Sequence, residues 1–113
     1  MISRNERVDE CTAAVDAFLE KNNVTVETKK QFPVDGGDIG VVYKLGHFGI
    51  EITKHQFIIF SQYNSRHIDM LDYDSSTDVL NYALPIAQEF IDDPDITKHV
   101  FVRAFHRVKN IFK

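Results

Sequence analysis

The run Phe57-Ile58-Ile59-Phe60 constrains the fold of this chain more than any other stretch. Four consecutive large apolar residues, with no helical spacing around them, read as a β-strand that is apolar on both faces. Such a strand belongs near the middle of a sheet, and the segment from Gly49 to Asp74 supplies the neighbours that would build one. Two apolar faces need two covers. Phe57, Ile58, Ile59 and Phe60 are therefore the first candidate interaction surface. Whichever alternate pair the helices leave uncovered would meet another protein or a second copy of the chain.

The strands around this run are set by period-two patterning and by turn residues. Val24, Val26, Thr28 and Phe32 share a face in a strand predicted from Val24 to Phe32, and Lys30 on that face marks it as an edge. Pro33 to Asp38, PVDGGD, is the strongest turn signal and predicts a hairpin loop. Alternation resumes from Ile39 to Leu45, pauses at Gly46 to Gly49, and resumes again from Ile50 to Thr53. The central strand is expected over Gln56 to Tyr63, a turn at Asn64-Ser65, and a returning strand over Arg66 to Asp72. Connections this short predict an antiparallel meander of four or five strands.

Helical periodicity flanks the sheet on both sides. Val8, Cys11, Val15, Phe18 and Leu19 form one stripe of a helix predicted over Arg4 to Asn22, opened by a Ser3/Glu6 capping box and closed at Asn22-Asn23. A second helix begins after Ser75 to Thr77 and carries Val79, Leu80, Ala83, Ile86, Ala87 and Phe90. Pro85 inside it predicts a kink or two short helices. A third, from Pro94 to about Phe112, segregates an apolar arc from Lys98, His99, Arg103, His106, Lys109 and Lys113. The expected fold is α+β: one domain over residues 1–113, one N-terminal and two C-terminal helices packed mainly on one sheet face.

Composition bounds the function. A formal charge of −4 and an ordinary globular balance argue against whole-surface attraction to nucleic acid or anionic membrane. Cys11 is the single cysteine, so no intrachain disulfide forms, and its helical apolar position predicts a buried thiol in a reducing compartment. MISRNERVDE lacks the apolar core of a signal peptide and no segment is apolar enough to span a bilayer, so the expected location is the cytoplasm.

Three constellations invite a chemical reading. His67 and Asp69, two apart on a strand, point the same way and could share a metal ion or act as base and orienting group, although polar residues alternating with Ile68 and Met70 are also what a half-exposed strand presents. The basic face of the last helix, Lys98, Arg103, His106, Lys109 and Lys113, could meet phosphates, but its phenylalanines lie on the apolar arc and not among these cations. Asp35-Gly36-Gly37-Asp38 lacks the Lys-Ser/Thr of a phosphate loop and the closing Glu of a calcium loop, and reads as a turn. No catalytic set assembles and no cofactor is implied. The leading expectation is a small cytoplasmic protein-binding or regulatory module without catalytic activity: an adaptor, a chaperone-like or an immunity-like protein, classes in which this element order occurs. The alternatives are a metal-binding protein or enzyme using His67 and Asp69, and nucleic-acid binding through the basic C-terminal helix.

Overall fold

Each strand of the sheet is joined to the next by three residues, far too few for a parallel crossover. In the computed structural model, which describes residues 6–34, 36–62 and 64–92, the strands accordingly pair only with their sequence neighbours. The order is α1 (Glu6–Lys21), β1 (Thr28–Val34), β2 (Asp38–Lys44), β3 (Phe48–Ile52), β4 (Gln56–Ser61), β5 (Ser65–Asp69), a 3-10 turn (Met70–Asp72) and α2 (Ser76–Asp92). The five strands form one antiparallel meander, β1-β2-β3-β4-β5.

Local chemistry explains where each element stops. The first helix ends in a Schellman motif: Asn23 adopts φ 56°, its N–H donates to Glu20 O at 3.1 Å, and the Val24 N–H donates to Leu19 O at 2.9 Å. Val24 is spent on that cap and packs against the core beside Leu19, so β1 begins at Thr28 and not at Val24. The first hairpin turns through Gly36 and Gly37, both at positive φ, as PVDGGD predicts. Pro33 is accommodated because β1 is an edge strand, where a missing N–H costs no second ladder. In the β3–β4 turn the Thr53 hydroxyl accepts from the His55 and Gln56 N–H groups. Ser65 already pairs with Phe60, which places the last turn one residue earlier than Asn64-Ser65. The strand it begins stops at Asp69, because Asp69 Oδ1 accepts from the Leu71 N–H at 2.9 Å and starts the 3-10 turn.

Both helices lie on one side of the sheet. Val41, Tyr43, Phe48, Ile50, Ile52, Phe57, Ile59 and Ile68 point to that side and form a single buried cluster with Val8, Cys11, Val15 and Leu19 of α1 and Val79, Ala83, Ile86, Ala87 and Phe90 of α2. Beyond these boundary shifts, the sheet order and α2 bear on the sequence expectation. The middle strand is β3 and not β4, so the Phe57–Phe60 run is second from an edge. Of the two outcomes expected at Pro85, a kink or two short helices, the split does not occur: α2 is one helix through it. Pro85 and Asn81, whose carbonyl loses its partner, are both exposed, so water can satisfy the freed oxygen while Ala83, Ile86, Ala87 and Phe90 hold the helix on its buried side. Ser3, Arg4 and the third helix expected over Pro94 to Phe112 lie outside the described residues.

Polar ties fasten the helices at the margins. The Tyr43 hydroxyl, at the end of a fully buried ring, donates to Asp16 Oδ1 at 2.7 Å, and Lys29 Nζ holds Asp16 Oδ2 at 2.8 Å. Burial, then the Asp16 carboxylate, pushes the Tyr43 hydroxyl well above its ordinary value of 10. Burial likewise pushes the Cys11 thiol from 9.0 up to about 11, against a smaller opposing effect of its contact with Ser76.

Ile59 and Ile58 give a direct test of facing. Ile59→Ala is expected to cost about 2–5 kcal/mol in denaturant unfolding, because Ile59 is fully buried, and Ile58→Ala less than half of that. The pH dependence follows from the two raised groups. Below their unfolded values both are neutral in either state and the folded protein keeps their full contribution. Above those values the unfolded chain loses the proton first, so stability falls as pH rises. Urea midpoints should decline from about pH 9 upward. Tyr43→Phe should flatten the decline above about pH 10, and Cys11→Ala the part between about 9 and 11.

Candidate interaction surface

The alternation that sends Phe57 and Ile59 into the core sends Ile58 and Phe60 to the other face. Register identifies the company they keep. Ile58 stands beside Glu51 of β3 and His67 of β5, and Glu51 stands beside Val42 of β2. Phe60 stands beside Gly49 and Ser65, and Phe32 beside Gly40. Phe32, Val42, Ile58 and Phe60 are all half-buried, and no helix among the described residues packs over them.

Two aromatic-on-glycine pairs account for much of that half-burial. A Cβ at Gly49 would sit 2.5 Å from Phe60 Cζ and 2.7 Å from the Tyr43 carbonyl oxygen; one at Gly40 would sit 2.5 Å from Phe32 Cζ. The far end of each ring therefore sits over the glycine of the adjacent strand, which shields backbone there. The sequence hides these pairs: Gly49 reads as the end of a turn, whereas it is the second residue of β3. A glycine between β-formers in one strand and a phenylalanine in register on the next is the only available signal, and register is unknown beforehand.

The structure keeps His67 and Asp69 on one face, but their bonds are local. His67 Nε2 contacts Ser65 Oγ at 3.1 Å, Asp69 caps the 3-10 turn, and both side chains are exposed. No group of three metal-ligating residues gathers among the described residues. His47 donates from Nε2 to the Phe90 carbonyl at 2.8 Å, tying the end of α2 to the β2–β3 turn. His55 is exposed and its carbonyl accepts from the Met70 N–H. Asp38 pairs with Lys54, a strut between the first and third turns. The basic residues Lys98, Arg103, His106, Lys109 and Lys113 lie outside the described residues.

No helix among the described residues is long and apolar enough to cross a membrane.

Gly49→Ala is expected to destabilise the fold by about 1–3 kcal/mol in thermal or chemical unfolding, since the backbone oxygen of Tyr43 cannot withdraw as a side chain can. Gly40→Ala should cost less, because only the Phe32 ring on the edge strand must move.

Comparison with protein-family models, with curated proteins and with solved structures finds no match to this chain.

Proposed function

We propose that the chain is a small cytoplasmic protein-binding or regulatory module, without catalytic activity, that engages another protein or a second copy of itself through the open face of its sheet. One observation carries this reading: Phe32, Val42, Ile58 and Phe60 share a face over which no element among the described residues packs. A sheet of this kind usually alternates apolar residues inward with polar residues outward. Here the outward face keeps Phe32, Val34, Val42, Ile58 and Phe60, and such a surface gains free energy when a partner excludes water from it.

The polar groups around that patch support binding over chemistry. Glu51, His67, Lys30 and Lys44 stand on the same face by register, spread along its rows without converging. They suit the rim of an interface, where charges steer and align a partner. The cytoplasmic assignment rests on the chemistry of Cys11, a lone buried thiol that a reducing compartment keeps free.

The test uses charge placed in the patch. Wild-type chain, Ile58→Asp and Phe60→Asp are compared in capture of partners from the native host and in sedimentation at rising concentration. Either aspartate should weaken capture or self-association at least about tenfold, the size of a modest interface anchor. Unchanged hydrogen exchange in the Phe57 and Ile59 amides would establish that the sheet is intact. Equal binding by wild type and both variants would rule this face out.

A further inference from the structure

At the start of α2 the surface carries an open groove lined by Asp72, Tyr73, Asp74, Asp78, Asn81 and Tyr82. Two of its lining residues are aromatic: the rings of Tyr73 and Tyr82 lie 6.1 Å apart, with Tyr82 51% exposed and Tyr73 half-buried against the core. Leu71, just before it in the chain, is 77% exposed, the most of any large apolar residue described. Its rim is anionic. The ion pairs among the described residues, Lys29–Asp16 and Lys54–Asp38, lie elsewhere. Arg7 reaches this end of α2 but donates there to the carbonyl oxygens of Met70, Tyr73 and Asp74.

A groove lined by two tyrosines and three carboxylates fits a cationic amphipathic segment, whose apolar side chains cover the rings while Lys and Arg meet the aspartates. The chain contains one. Lys98, Arg103, Arg107, Lys109 and Lys113 fall within its last sixteen residues, which hold no Asp or Glu and interleave these cations with Phe101, Phe105, Val108 and Phe112. Residues 1–92 hold eight Lys and Arg against fifteen Asp and Glu, so the two stretches are of opposite sign. Reach is sufficient. α2 has 17 residues, which puts its ends about 24 Å apart, and the 21 residues after Asp92 have a contour of about 30 Å at a helical rise and about 70 Å extended.

We propose that this groove is the docking site of the chain's own cationic C-terminal segment, Lys98–Lys113. Docking neutralises Asp72, Asp74 and Asp78 and withdraws the basic residues from other polyanions. A competing polyanion or high salt releases them. The inference rests on the groove and on charge, and is independent of the open sheet face.

The test is made on the full chain by amide NMR. In about 0.05 M salt, K109E/K113E should displace the resonances of Asp72 to Asp78 and of Tyr82. Raising wild type to about 0.5 M salt should displace the same resonances in the same direction, because exposed pairs are then screened. Adding D74K/D78K to K109E/K113E should return Tyr73 and Tyr82 toward their wild-type positions. K109Q/K113Q, which changes no residue of the described fold, should give the same displacement at smaller amplitude, and unaltered β3 resonances report that the fold is kept. Groove resonances that ignore all these changes overturn the proposal. So do wild-type groove shifts that grow with protein concentration, which would place a second copy in the groove.

Discussion

Two rows of side chains, each crossing the sheet at right angles to the strands, hold this molecule together. One is Val41, Ile52, Phe57 and Ile68; the other is Tyr43, Ile50 and Ile59. Every member is buried, and with Phe48 these rows make the floor on which the helices sit. Register is what creates these rows. A slip of one residue between β3 and β4 would turn Phe57, Ile68 and Ile59 away from the helices, so the short turns that set register are as important to the core as the side chains in it.

Helix attachment divides into an apolar centre and polar corners. At one corner the Tyr43 hydroxyl reaches out of the sheet to Asp16, and Lys29 from the edge strand closes the arrangement while lying 5.4 Å from the Tyr43 ring centroid. At another the His47 ring bonds the carbonyl of Phe90, and Phe48 stacks 5.8 Å from the Phe90 ring. Such bonds add modest net energy compared with the burial they surround. Their value is directional: an apolar surface resists separation but permits sliding, and a hydroxyl or an imidazole at the margin fixes the angle.

The elements most plainly readable from sequence were those whose information is local. The stripe of α1, the Asn22-Asn23 end, the Gly36-Gly37 turn and the edge position of β1 each follow from residues within a few positions of one another. Pairing was less accessible. Phe57-Ile58-Ile59-Phe60 shows that a strand exists, but only register shows that Gly49 lies under Phe60 and that the middle place belongs to β3. The candidate surface was half readable for the same reason. Period two separates Ile58 and Phe60 from Phe57 and Ile59, yet which pair faces the helices depends on packing. The acidic groove could not be foreseen, because Tyr73 and Tyr82 meet only once the 3-10 turn and α2 are in place.

The guanidinium of Arg7 joins positions 63 to 67 residues away along the chain, whereas every strand pairs with its immediate predecessor. A meander of this kind can assemble hairpin by hairpin at little entropic expense, but the loop that brings α1 beside α2 encloses the whole sheet. α1 and α2 therefore act as the two halves of a clasp, and the arginine is the catch. Loss of these bonds would loosen the closure of the longest loop among the described elements, a tie that no neighbouring strand pairing can replace.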